Sequence, residues 1–292
     1  MSYIRYVILA ALLVVHGNPY NDALLKDVRA QARAIPGELP LAVRYLSAQD
    51  DSTPASDAVD GASHGRTYEV TPVFQIRYRR GWIMVDAGMT RHMAGTEGQF
   101  SDARYRQIET ALAHAGLIVV THEHNDHVGT LVDSPVVADV APHTLFTRQQ
   151  VETMVHKPKQ AFITLDSVQA RRYLVVDYDR LLPIAPGVVL IRSAGHTPGS
   201  QMVYVMLASG RELVLSGDIA WLKKGIDDQR QKPDSVSRQL GEDRDAIGAE
   251  MAWLKKTVEP AGIAVVVSHD GDELADLSRR GLLREGLDLS TP

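Results

Sequence analysis

The run Gly116-Leu117-Ile118-Val119-Val120 leads directly into Thr121-His122-Glu123-His124-Asn125-Asp126-His127. A short apolar segment rich in β-branched residues, entered from a glycine, predicts a buried strand. The polar stretch then falls where a strand ends and a loop begins, the place where α/β folds present functional groups. Three imidazoles and a carboxylate spaced His-x-His-x-Asp-His are hard to pack together without a cation between them. Imidazole nitrogen and carboxylate oxygen suit zinc and similar divalent metals. His122 and His124 are expected to project one way and Asp126 and His127 another, so one stretch can serve two metals. With 11 histidines in 292 residues, chance is a poor account of such a cluster.

The same arrangement of an apolar run followed by a polar group recurs downstream. Val188-Val-Leu-Ile-Arg192 reads as a strand that delivers His196 inside Gly195-His196-Thr197-Pro198-Gly199-Ser200, a turn fixed by glycine and proline. Glu212-Leu-Val-Leu-Ser216 delivers Asp218 just after Gly217, a good place for a carboxylate shared between metals and, taken alone, equally for a turn residue. Ile263-Ala-Val-Val-Val267 delivers His269. Upstream, Val70–Tyr78 and Trp82–Asp86 read as strands joined by a turn at Arg79-Arg80-Gly81. Asp86 before Ala87-Gly88 serves either as a turn residue or as a group orienting a metal-bound histidine. The repetition carries more weight than any single member.

Helical spacing predicts helices over 20–35, 102–115 with Ser101 as cap, 147–155 with Thr147 as cap, and 238–259. Leu41–Leu46 reads as a first strand, 49–65 as a loop rich in Asp, Ser and Gly, and 89–100 as a glycine-bearing loop with His92 at its surface. Val136-Val137-Ala138 and Tyr173–Asp177 read as further strands. The alternation of strands and helices is an α/β pattern.

There is no cysteine, so disulfides and thiolate ligands are excluded and any metal must be held by His, Asp or Glu. A net charge of -5 without a basic stripe gives no footprint for nucleic acid. Arg5 followed by the apolar Val7–Val15 fits a secretory signal or membrane anchor, and equally a buried N-terminal element. That run is too short to span a membrane comfortably. Export or anchoring and a cytoplasmic location both stay open. Three parts follow: 1–17 as signal or anchor, 18–40 as an N-terminal helical extension, and 41–292 as the main domain.

In their order, His122-x-His124-x-Asp126-His127, His196 in Gly-His-Thr-Pro-Gly-Ser, Asp218 in Ser-Gly-Asp and His269 resemble the metallo-β-lactamase superfamily, with Asp86-Ala87-Gly88 at its early Asp-x-Gly. The resemblance runs from about Leu41 to His269. It implies a four-layer αββα sandwich of two mixed sheets, with metals at one edge. It implies one zinc on His122, His124 and His196, a second on Asp126, His127 and His269, and Asp218 bridging, with iron or manganese as alternatives. It further implies a hydrolase in which a hydroxide between the metals attacks an ester, lactone or thioester of a small molecule, and Asp126 orients it and shuttles a proton. Alternatives within the fold are a single-iron dioxygenase, a β-lactamase, and a silent module with structural zinc. Met89–Ala94, Thr147–Lys159 and Trp221–Lys224 are the expected pocket walls. The oligomeric state is open.

Overall fold

The computed structural model describes residues 19–63, 65–95 and 98–290. The apolar run Val7–Val15, and with it the signal or anchor reading, lies outside the described residues. Among the described residues, no helix is long and apolar enough to cross a membrane.

The first sheet is built from β1 (Ala42–Pro54), β2 (Arg66–Arg77), β3 (Trp82–Val85), β4 (Gln99–Phe100), β5 (Leu117–Val119), β6 (Thr144–Thr147) and β7 (Leu174–Val176). The second contains β8 (Leu181–Ala185), β9 (Val188–Arg192), β10 (Gln201–Met206), β11 (Glu212–Leu215) and β12 (Ala264–Val266), after which β13 (Arg284–Glu285) returns to the first. The orders are β13-β1-β2-β3-β5-β6-β7, with β4 on β1, and β12-β11-β10-β9-β8. Both sheets are mixed: β3, β5, β6 and β7 run parallel, as do β11 and β12, while the hairpins are antiparallel.

Alternation along each strand divides the core into layers. Val85, Val119, Val188, Leu190, Val203 and Val205 meet between the sheets. Their neighbours Met84, Ile118 and Val120 face the helices Asp102–Ala113 and Asn125–Val132 on one outer side. Val189, Ile191, Met202 and Tyr204 face the helices Asp22–Gln31 and Arg244–Trp253 on the other. This is the four-layer αββα sandwich. Leu24, Leu25 and Val28 of the N-terminal helix are part of the outer core of the second sheet.

Several local expectations are corrected. The segment 49–65 is not a loop throughout: β1 continues to Pro54 because Asp50–Pro54 pair with Val70–Arg66 across the hairpin. The 89–100 segment carries a short helix, Arg91–Ala94, capped by Thr90, and then β4. Val136–Ala138 is not a strand, since Val137–Val140 is helical and buries Val140 against the first sheet's outer helices. The long helix expected over 238–259 is broken, with one helix ending at Leu240 and the next starting at Arg244. Gly241, at φ 73°, takes the left-handed conformation that closes the first, and the Asp243 side chain caps the second.

Candidate metal centre

Parallel pairing brings the carboxyl ends of β3 and β5, and of β11 and β12, to one edge of the sandwich. The residues just past those ends, with the turn between β9 and β10, converge there. His122, His124 and His196 form one group of donors, and Asp126, His127, Asp218 and His269 a second, each with ligand atoms within 4.8 Å of one another. In the first group His124 Nδ1 lies 3.2 Å from His122 Nε2 and 3.1 Å from His196 Nε2. In the second, His127 Nε2 and His269 Nε2 are each 3.4 Å from Asp126 Oδ2. Asp218 reaches both: Oδ2 is 3.8 Å from His122 Nε2 and from His196 Nε2 and 3.0 Å from His269 Nε2, and Oδ1 is 3.4 Å from His127 Nε2. The fold thus gathers all seven side chains singled out in the sequence, split as their expected directions required.

The spacing fits cations. Donors bonded at about 2.0–2.1 Å to a tetrahedral metal stand about 3.3 Å apart. His127 Nε2 and Asp218 Oδ1 are buried with no hydrogen-bond partner, as atoms reserved for a ligand would be. Burial pushes His124 down to about 3, His122 well below the ordinary imidazole range and His196 also downward, so the first group offers neutral nitrogens. In the second group burial also opposes charge, but Asp126, Asp86 and Asp218 overcome it and hold His127 far above that range. Asp218 and Asp126 likewise raise His269 to about 9 against the pull of burial. Protons there balance the carboxylates, and a divalent cation would replace them.

His127, His269 and His196 are each aimed by the ring nitrogen that faces away from the cluster. His127 Nδ1 is 2.8 Å from Asp86 Oδ2, and Asp86 also accepts from the Thr121 amide at 2.6 Å. Of the two readings of Asp86, its geometry is that of an orienting group. His269 Nδ1 lies 2.7 Å from the Val70 carbonyl. His196 Nδ1 lies 2.7 Å from Glu242 Oε1, which also accepts from Lys232 Nζ at 2.7 Å. The same ammonium donates to the Asp218 carbonyl at 2.9 Å and sits 5.3 Å over the Trp221 ring. Trp221 Nε1 donates to Asp218 Oδ2 at 3.0 Å.

Glu242 and Lys232 were not legible in the sequence. They are ordinary charged residues 46 and 36 positions from His196, and only the packing of two helix-linking segments brings them under the site. Burial raises the Glu242 carboxyl, but His196 and Lys232 outweigh it and hold it at about 2. Glu242→Gln is expected to weaken metal binding about 10–100-fold, read by competition with a chromophoric chelator. Wild-type affinity in that variant would remove Glu242 from the account. In the metal-free chain the sign follows from the depressed value. Its contribution to folding is complete above 4.5 and disappears as pH falls through about 2.

The turn after β9 is held from behind. Gln150, in the first turn of helix Arg148–His156, donates to the carbonyls of Val120 and Gly199, both at 3.0 Å, tying the two histidine-bearing loops together. A Cβ on Gly199 would lie 2.5 Å from Gln150 Cγ, so only glycine allows this approach. Glu250 accepts from the Gly195 amide at 3.1 Å, and burial raises its carboxyl to about 8.

A cavity of about 230 Å³ opens beside Asp126, lined by Gln49, Asp51, Glu69, Val70, Thr71, Met89 and Asn125. Of the expected walls only Met89 lines it. The Thr147–Lys159 region instead braces the loops, and Trp221 packs against Asp218 and His269 inside the site. The β1–β2 hairpin supplies most of the lining, through Gln49, Asp51, Glu69, Val70 and Thr71. His92 is exposed and packs edge-on to Phe162 at 5.1 Å.

Residues 67–240, more than half of the chain, match the family described as the metallo-beta-lactamase superfamily. The N-acyl homoserine lactonase AiiA of Bacillus thuringiensis subsp. kurstaki is 21% identical over 177 residues, which cover 53% of this chain and 66% of that relative, short of two thirds of its length. A solved quorum-quenching N-acyl homoserine lactone hydrolase shares the fold with a TM-score of 0.66 at 16% identity, covering 82% of this chain and 96% of that one. AidC, a dizinc quorum-quenching lactonase solved with a product bound, gives 0.57 at 12% identity over 80% of this chain and 90% of its own. By the family match and the shared sandwich, the chain belongs to the metallo-beta-lactamase superfamily.

Proposed function

We propose that this chain is a hydrolase that works with two divalent metal ions, zinc before iron or manganese, and opens a lactone or cleaves a related ester of a small molecule. His122, His124 and His196 would hold one ion, Asp126, His127 and His269 the other, with Asp218 shared. Cations held there supply Lewis acidity toward a carbonyl oxygen and lower the pKa of water toward neutrality. The residues do the rest. Asp126, with a fifth of its side chain exposed, is the one donor that lines the open cavity. It is placed to orient a nucleophile and to carry a proton to the leaving oxygen. Asp86 and Glu242 fix the imidazoles, so little reorganisation accompanies reaction.

The observation that carries this reading is the completeness of the second group. A single metal on the three neutral histidines would leave Asp126, His127 and His269 gathered around nothing. The reading is supported by the likeness to proteins described as dizinc and homoserine-lactone lactonases.

The test is elemental analysis of the purified chain beside a hydrolysis panel of lactone, thioester, phosphodiester and β-lactam. About two zinc per chain with lactone or thioester turnover, lost on chelation and restored by zinc, is the expected result. About one iron per chain without hydrolysis would replace the hydrolase with the single-iron dioxygenase, and β-lactam turnover alone would move the substrate class.

A further inference from the structure

Among the described residues Lys232 is the one buried lysine, at 2% exposed. It sits in the segment between the helices Lys223–Asp228 and Asp234–Leu240. Its ammonium is fully engaged, on Glu242 Oε1 at 2.7 Å, on the Asp218 carbonyl at 2.9 Å and over the Trp221 ring. Taking an ammonium out of water is costly, and a paired carboxylate seldom does more than offset that cost. Aiming His196 does not require the charge, since a neutral amide oxygen at position 242 can also accept from Nδ1. What Lys232 adds is a positive charge directly behind a group of cation ligands, the opposite of what binding a cation asks for.

The two groups of donors differ most in the charge around them. In the first, the carboxylate on His196 is Glu242, and its Oε1 faces both the His196 ring and Lys232 Nζ at 2.7 Å, so the buried pair sums to zero. In the second, Asp126 is itself a donor, Asp86 lies 2.8 Å behind His127, and Glu69 lies 4.0 Å from His269 Nδ1. Among the described residues no lysine or arginine pairs with any of those three carboxylates. Asp218 reaches both groups and does not separate them. We propose that Lys232 keeps the three-histidine site the weaker of the two, so that a first ion settles on Asp126, His127 and His269 and the ion on His122, His124 and His196 is the one that exchanges. This inference rests on the two-metal reading and adds to it an order of loading and the residue that sets it.

The test is a zinc titration of the metal-stripped whole chain against a chromophoric chelator, which reads both binding steps without reference to turnover. His196→Ala is expected to keep the tighter step at its wild-type affinity. His269→Ala is expected to lose it, leaving one ion bound about tenfold or more weakly. Lys232→Met should tighten the weaker step about tenfold and leave the tighter one unchanged. Glu242→Gln leaves the ammonium unopposed and should act in the reverse direction, on the weaker step. Adding Lys232→Met to Glu242→Gln leaves neither buried charge, a replacement that folds tolerate, and should recover the loss. A purely structural role for Lys232 predicts instead that the double variant binds no better than Glu242→Gln, and that result overturns the proposal. So does a tighter step that survives His269→Ala or is lost in His196→Ala, with two ions still bound by the wild type. A wild-type chain that takes up only one ion overturns the two-metal reading itself, and this inference with it.

Discussion

Asp218→Ala is expected to lower hydrolysis by about 10³-fold or more, equivalent to about 4 kcal/mol of transition-state stabilisation, with the sandwich still folded. The Asp218 carboxylate lies within 3.8 Å of donor nitrogens from both groups. Two cations side by side repel, and the carboxylate between them is what makes double occupancy tolerable. Removing it is therefore expected to cut metal content from about two to about one per chain as well as to abolish turnover. Asp218→Asn is the sharper variant. It preserves volume and leaves an oxygen for Trp221 Nε1, now 3.0 Å away, yet removes the charge. The same loss in both variants assigns the effect to charge. Elemental analysis and far-ultraviolet circular dichroism accompany the kinetics. Full activity in either variant would refute the dinuclear reading.

Asp86→Ala is the second large effect, and it should appear in stability even with no metal present. Asp86 has φ 61°, a left-handed conformation that aspartate and asparagine tolerate better than other side chains. It is fully buried and accepts from the Thr121 amide, the Thr121 hydroxyl and the His127 ring. Alanine leaves a buried amide and imidazole unpaired and adds backbone strain, at a cost of about 3–5 kcal/mol. Asp86→Asn keeps the backbone preference and one acceptor, and should cost less than half as much. Urea denaturation in the presence of a chelator measures both. Equal stability of Asp86→Ala and wild type would show that this network does not hold the β3–β5 edge together. With metal restored, either variant should bind it about 10–100-fold more weakly, because His127 is no longer aimed.

The seven donors were legible because each follows a short apolar run, and a strand that ends in a histidine or aspartate leaves its signal in consecutive residues. The caps Ser101 and Thr147 were legible for the same reason, and both side chains accept from the helix backbone as expected. Local patterns misled where pairing or packing overrode them. The polar residues Asp50–Thr53 become strand because β2 offers them partners, and Val136–Ala138, strand-like in composition, turns helical under the first sheet's outer layer. Local patterns were silent about Glu242, Lys232 and Gln150. No periodicity marks a buried lysine 2% exposed, or a glutamine whose amide joins two distant loops. The sequence by itself determined which groups would be presented at strand ends and in what order, because strand propensity and turn chemistry are properties of neighbouring residues. Only the tertiary structure decided which of those ends meet, which side chains aim the imidazoles, and where a cavity opens. Those outcomes depend on groups brought together across many tens of residues, and their energies exist only once the two sheets have closed on each other.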